Sequence, residues 1–246
     1  MKIIRILKGA GIRSTYGTMG ASASTLVDDE GIKILVDVGH FGNRETLITA
    51  LRSNDLLPKD IDKIVLTHLN WDHCLNIDLF QNSEVLLSKK EFDLGTLSGT
   101  MDGLSPLFKE YLKSFKLTFV AEGDHPSPNS TVLDTGGHTA GHISLLVQDG
   151  QKKILISGDS IPNLRSYNRG MPDLIFYNKD EAASSIEKIK KLQPDVIYPG
   201  HDPPFNTSGY MEKDTIDLIL RNVDETNTII NIYKREAEKP LVIKDE

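Results

Sequence analysis

Five times along this chain a short aliphatic or hydroxyl-bearing stretch runs into a histidine or an aspartate close to glycine or another polar residue. The segments are Ile34-Leu35-Val36-Asp37-Val38-Gly39, Val65-Leu66-Thr67-His68-Leu69-Asn70-Trp71-Asp72-His73, Thr135-Gly136-Gly137-His138-Thr139-Ala140-Gly141-His142, Leu155-Ile156-Ser157-Gly158-Asp159 and Val196-Ile197-Tyr198-Pro199-Gly200-His201. Each reads as an aliphatic strand running into a polar residue suited to metal chemistry. The ends of such strands are rigid and hold side chains over a common cleft with little positional slack.

The intervening sequence agrees with a layered architecture. Residues 3–7, 24–27 and 32–38 are β-branched or aliphatic, and Asp28-Asp29-Glu30-Gly31 reads as the turn of a hairpin. Asn43 stands as an N-cap before Leu47, Ile48 and Leu51 at helical spacing. Residues 63–67 and 84–87 predict further strands, and residues 89–117 a helix–loop–helix insertion broken by Gly95, Gly99, Gly103 and Pro106. In the second half, strands are expected at 117–121, 131–134, 143–147, 154–157 and 195–198. Ala182, Ile186 and Ile189 mark one face of a helix, and Ile216, Ile219, Leu220, Val223, Ile230 and Tyr233 predict a C-terminal helix. Strands in runs with helices at intervals, lacking regular βαβ alternation, argue for an α+β fold: a four-layer αββα sandwich formed as a single domain over residues 1–246.

Charge and cysteine content narrow the function classes. The formal net charge is −7, from 28 Lys and Arg against 35 Asp and Glu. Binding to nucleic acid draws on Lys and Arg neutralising phosphates, so an acidic chain is not expected to take such a partner. Cys74 is the only cysteine, which excludes an intrachain disulfide. The apolar start, Ile3 to Leu7, runs at once into Lys8 and Gly9, too short for a signal-peptide core. No run approaches the ~18 apolar residues of a membrane span, so a cytoplasmic location is expected.

Imidazole and carboxylate together suit zinc, iron or manganese, and an all-nitrogen-and-oxygen donor set favours an open catalytic site over a closed structural one. A lone histidine is more often a hydrogen-bonded core residue than a ligand. Four of the seven histidines standing at strand-end positions beside Gly or Asp make a stronger signal. The residues of these segments suited to metal chemistry are Asp37, His68, Asp72, His73, His138, His142, Asp159 and His201.

In order and spacing, the five segments resemble the signature motifs of the metallo-β-lactamase superfamily, whose members share the αββα sandwich. The resemblance implies a metal-dependent hydrolase in which a metal-bound hydroxide attacks a small-molecule substrate, an ester, lactone, thioester or β-lactam. It implies one or two Zn2+ ions, with Fe or Mn as alternatives. One site would use His68, His142 and position 70; the other Asp72, His73 and His201; Asp159 would bridge them. Asp37 would lie beneath, orienting the ligand loops. By the same likeness the ligand of the glycine-rich turn falls on His142, the second histidine, and not on His138.

The chain departs from the family pattern at position 70, where Asn70 replaces the second histidine of the HxHxDH motif. An amide oxygen is a weaker zinc ligand than imidazole nitrogen, which makes Asn70 a weak ligand and the two sites unequal. Asp72 is the candidate catalytic residue, as ligand, proton acceptor or both. Substrate contacts are expected from Arg165, Tyr167, Arg169 and Tyr177, since an Arg there can pair with a substrate carboxylate. Acyl-homoserine lactonases of the family often carry Tyr three residues after the bridging Asp, where this chain has Pro162. The Gly9–Gly20 stretch lacks a phosphate-loop pattern and reads as a hairpin near the site. Alternative readings are a nuclease of the same superfamily, an iron-dependent dioxygenase and a weakly catalytic metal-binding module.

Overall fold

A computed structural model describes residues 1–15, 17–95, 107–212, 214–221 and 227–235. In chain order the elements are β1 (Lys2–Leu7), β2 (Arg13–Ser14), β3 (Gly17–Thr18), β4 (Ser24–Asp29), β5 (Ile32–Val36), α1 (Arg44–Arg52), β6 (Lys63–Val65), α2 (Trp71–Cys74), β7 (Glu84–Ser88) and α3 (Lys89–Leu94). There follow α4 (Leu107–Leu112), β8 (Lys116–Val120), β9 (Ser130–Asp134), β10 (Ile143–Asp149), β11 (Lys152–Gly158), α5 (Leu164–Arg169), α6 (Lys179–Leu192), β12 (Val196–Pro199), β13 (Phe205–Asn206), β14 (Gly209–Tyr210), β15 (Asp214–Arg221) and β16 (Asn227–Arg235).

Two six-stranded sheets carry the fold, ordered β1-β4-β5-β6-β7-β8 and β14-β13-β12-β11-β10-β9. Both are mixed and share a plan. The β4–β5 hairpin is followed by β6 parallel to β5, and the β10–β11 hairpin by β12 parallel to β11. Successive side chains of a strand point to opposite faces, and the buried clusters follow that alternation. Ile34, Val36, Val65 and Leu86 meet Leu145, Val147, Ile154 and Ile156 between the sheets. Leu35, Ile64, Val85 and Leu87 face outward to join Leu47 and Leu51 of α1. On the far side, Leu155 and Ile197 pack with Ile186 and Ile189 of α6. Both faces of each central strand are thus covered, which is the αββα sandwich expected from strands in runs with helices at intervals.

Two sequence expectations change. The C-terminal helix is instead a strand pair, β15 and β16, antiparallel from Asp214↔Arg235 to Arg221↔Asn227. Ile recurs in both segments and loses side-chain freedom in a helix; the polar run at 224–228 breaks the apolar pattern between them. Asn43 occupies the N-cap position of α1 but its side chain caps nothing there. Its Oδ1 accepts from His40 N and Asn76 Nδ2 instead, tying the loop after β5 to the segment after α2. Of the helix–loop–helix insertion, α3 and α4 are present, and its loop lies outside the described residues. Among the described residues no helix is long and apolar enough to cross a membrane.

Candidate metal centre

The strand ends converge at one edge of the sandwich. Beyond β5, Asp37 adopts φ 57°, a left-handed backbone uncommon for a non-glycine residue. Its Oδ1 accepts from Thr67 N at 2.8 Å, and its Oδ2 from Thr67 Oγ1 and His73 Nδ1, both at 2.8 Å. The loop after β6 is thereby pinned, and α2 begins at once beyond Asn70, presenting Asp72 and His73 from its single turn.

Four histidines obey one rule: Nδ1 is spent on a fixed acceptor, which turns Nε2 toward the cluster. His73 Nδ1 donates to Asp37. His68 Nδ1 meets Thr67 Oγ1 at 2.9 Å, whose own hydrogen goes to Asp37. His138 Nδ1 donates to Leu174 O at 2.8 Å, and His201 Nδ1 to Ala21 O at 3.0 Å. Such outer hydrogen bonds fix the tautomer and ring orientation of a metal-binding histidine. Asp159, from the turn after β11, lies among the four Nε2 atoms. Its Oδ1 is 3.5 Å from His73 Nε2, and its Oδ2 is 3.2 Å from His201 Nε2 and 3.6 Å from His138 Nε2. Asp72 Oδ2 lies 3.5 Å from His201 Nε2 and 3.8 Å from His73 Nε2.

His142 breaks the rule. Its Nε2 accepts from the backbone N–H groups of Asp159 (3.0 Å) and Ser160 (3.3 Å), while Nδ1 is paired with Thr135 Oγ1 at 2.9 Å. With both nitrogens engaged, His142 supports the Asp159 turn from below. His138, passed over in the sequence, is the member of that turn whose ring nitrogen faces the cluster. The only sequence signal was its place four residues upstream in the same glycine-rich turn.

The donor set fits a cation. Among the described residues, eight buried side-chain atoms lack a hydrogen-bond partner, and four of them are here: His68, His73 and His138 Nε2, and Asp159 Oδ1. Unmade hydrogen bonds on buried polar atoms are costly, so their convergence from three chain segments calls for a shared positive partner. Donor atoms of His68, His73 and Asp159, and of Asp72, His73 and His201, fall within 4.8 Å of one another in two overlapping groups.

Electrostatics differ across the cluster. Burial, reinforced by His73, His138 and His142, holds His68 well below the usual imidazole range and therefore neutral. Burial likewise keeps His142 neutral. For His73 and His201 burial acts the other way from the net result. The Asp72, Asp159 and Asp37 carboxylates raise His73 well above its ordinary value. Asp159 above all raises His201 to about 9. Asp159 is pulled well below the carboxylate range, the nearby His201 and His73 overriding its burial.

Above the cluster opens a cavity of about 300 Å³. Asn70, Asp72, His138, Asp159 and His201 form its polar floor; Ile12, Trp71, Pro162, Leu174 and Phe176 supply apolar wall. Gly11, Thr18 and Gly20 also line it, so the early glycine-rich stretch does fold over the site, with β2 and β3 as its hairpin. None of Arg165, Tyr167, Arg169 and Tyr177 lines the cavity. Both arginines are drawn to Asp173 Oδ1, at 2.9 and 2.8 Å. Tyr167 packs against Phe205 in the core outside the second sheet, and the exposed Tyr177 lies under Lys90. Asp173, Leu174 and Phe176 are the residues between Arg165 and Tyr177 that reach the cavity wall.

Residues 17–201 match the model of the metallo-beta-lactamase superfamily. Beta-lactamase-like protein 2 homolog of Caenorhabditis elegans is 30% identical, over 93% of this chain and 67% of the relative. A probable metallo-hydrolase of Methanocaldococcus jannaschii is 29% identical, over 69% of this chain and 70% of the relative. Among solved structures, B. thuringiensis AiiA with N-decanoyl-L-homoserine bound at its active site superposes with a TM-score of 0.66 at 20% identity, covering 81% of this chain and 92% of AiiA. Two mixed sheets between helices, five strand ends carrying histidine and aspartate to one edge, and a family match spanning those ends lead to one placement: the chain belongs to the metallo-beta-lactamase superfamily.

Proposed function

We propose that this protein is a zinc-dependent hydrolase of small uncharged esters, lactones, thioesters or β-lactams. The observation that carries the reading is the convergence of four Nε2 atoms and two carboxylates, with His138, His201, Asp72 and Asp159 at the floor of a largely apolar cavity and His68 and His73 buried beside them. His68, His138 and Asp159 would hold one ion, with Asn70 beside them. Asp72, His73, His201 and the shared Asp159 would hold a second. Bound zinc supplies a Lewis acid and lowers the pKa of its water from about 15.7 toward about 7.

The chain's own residues perform the rest. Asp72 is 7% exposed and lines the cavity, so its carboxylate can accept a proton beside the ion it helps hold. Trp71 and Phe176 exclude water from the cleft, and Trp71 is itself steadied by an edge contact with His40, centroids 4.8 Å apart. No Lys or Arg is among the described residues lining the cavity, which weighs against a phosphodiester substrate. The similarity to AiiA puts N-acyl homoserine lactones on the list of substrates to test. Pro162 in the cavity wall, where such lactonases often carry Tyr, weighs toward a different ester or thioester.

Asn70 makes the centre uneven. It is nearly buried and lines the cavity, but offers an amide oxygen where the family has imidazole. The ion beside His68 and His138 is therefore the weaker held. Elemental analysis of the purified protein, followed by assays on lactones, thioesters, β-lactams and bis(p-nitrophenyl) phosphate, tests the reading. Turnover of a carbonyl substrate that Asp72→Ala abolishes is expected; turnover of the phosphodiester alone overturns it. Asn70→His should bind the second equivalent of metal more tightly than wild type. Equal, full occupancy of both sites in the wild type contradicts the uneven centre.

A further inference from the structure

We propose that Glu91 of α3 is a positioning residue that locks together the two loops bearing His68 and His138. The proposal rests on the metal-centre reading above and concerns the geometry of its weaker half. Glu91 has no solvent exposure, and no Lys, Arg or His nitrogen of the described residues lies within ion-pair distance of it. A buried carboxylate without a counter-charge is expensive, so its hydrogen bonds decide where it can sit. All three of its donors belong to the ligand loops. Oε1 accepts from Leu69 N at 2.9 Å, the residue between His68 and Asn70. Oε2 accepts from Thr139 Oγ1 at 2.8 Å, next to His138, and from Gly141 N at 2.9 Å.

These loops come from different sheets: the first follows β6, the second joins β9 to β10. Their mutual position is not set by strand pairing: one backbone bond, from Ile143 N to Thr67 O at 2.9 Å, joins their ends, and the Glu91 carboxylate spans the rest of the gap. Ser88, the N-cap of α3, tightens the same joint by donating from Oγ to Gly141 O at 2.6 Å. The approach is so close that a Cβ at Gly141 would lie 2.0 Å from Glu91 N and 2.4 Å from Ser88 Oγ. An ionised carboxylate is acceptor-only and satisfies all three donors; a carboxamide at the same place must set its NH2 against at least one N–H or force that donor away. His68 and His138 are the two imidazoles of the site that Asn70 already weakens, so this half has least margin for displaced loops.

Titration of the metal-free full chain with Co2+, read by its visible absorption, tests the proposal. His138→Ala identifies which binding step belongs to the weaker site, by losing it. Glu91→Gln should weaken that step about 10- to 100-fold, the usual effect of losing an outer-shell partner, and alter its absorption bands. The other step should stay within about threefold, well under that outer-shell effect. Asp29→Asn is the control. Asp29 is also buried, and holds Asn129 N and Nδ2 at 2.8 and 2.9 Å, away from the cluster. It should lower Tm and leave both cobalt steps unchanged. Should Glu91→Gln not fold, Thr139→Val removes one of the three donors and must shift the same step in the same direction by less. Wild-type cobalt affinities and bands in a folded Glu91→Gln, or equal shifts in Asp29→Asn, overturn the positioning role alone. A wild type that takes up no Co2+ overturns the metal-centre reading, and the role of Glu91 with it.

Discussion

Metal loading should release protons, and the number released measures the charge state of the empty cluster. His201 with a pKa of about 9 is about 99% protonated at pH 7 by simple titration, and removing that proton costs about 2.7 kcal/mol at 1.36 kcal/mol per pH unit. His73 is also raised well above its ordinary value, by Asp72, Asp159 and Asp37 against the effect of burial. Both imidazoles offer Nε2 to the cluster, so an ion can bind there only after each has lost its proton. His68 is already neutral and contributes none. About two protons should therefore leave as the tighter site fills at pH 7, and apparent affinity should rise about a hundredfold per pH unit near neutrality, one decade for each proton. The slope should fall as pH approaches 9 and His201 deprotonates unaided. Calorimetric zinc titrations in buffers of different ionisation enthalpy give the proton count, and chelator competition at several pH values gives the slope. Release of less than one proton at pH 7 would refute the charge state argued here. The same shift has a stability consequence. Because the folded pKa of His201 is raised, its contribution is fully present below about 6.5 and lost as pH rises through about 9. Tm of the metal-free protein should fall across that window, and filling the site should abolish the fall.

His138→Ala should remove the weaker ion with little loss of fold, whereas His142→Ala should keep the metal content and lose stability. The latter leaves the Asp159 and Ser160 N–H groups without an acceptor, at roughly 1–3 kcal/mol each; elemental analysis beside urea denaturation separates the two outcomes. Gly137→Ala should cost more than about 3 kcal/mol or prevent folding, because φ is +126° and a Cβ there would meet Ala182 N at 2.1 Å. Arg165→Ala breaks only an exposed pair with Asp173, worth about 0.2–1 kcal/mol, so kcat/KM for an uncharged substrate should change less than about threefold. A drop of a hundredfold would mean that Arg165 reaches the cavity during turnover.

Much of the fold was legible before any coordinates. Ile34 to Val36 and Leu155 to Ile156 are aliphatic at consecutive positions, and side chains that alternate between two faces can all be buried only in a covered sheet. The residue types at the strand ends were equally legible, and His68, Asp72, His73, Asp159 and His201 do meet at one edge. The C-terminal segment misled because Ile216, Ile219, Leu220 and Val223 satisfy helical spacing, while Ile216, Leu218 and Leu220 also recur at the period of a strand. Only pairing of Asp214–Arg221 with Asn227–Arg235 separated the two.

What spacing could not reach was direction. His138 and His142 share one turn and one residue type, yet their roles follow from what each nitrogen touches. His138 spends Nδ1 on the carbonyl of Leu174, 36 residues away, and so aims Nε2 at Asp159; His142 gives Nε2 to the backbone of the Asp159 turn. Arg165 and Arg169 looked available for substrate until Asp173 was found holding both. Glu91 carried no motif at all, since its three partners come from loops 22, 48 and 50 residues distant. The sequence by itself determined a layered sandwich with imidazole and carboxylate at its strand ends. The tertiary structure decided which nitrogens face the cluster, because a side chain's direction depends on partners that only folding brings within hydrogen-bonding distance.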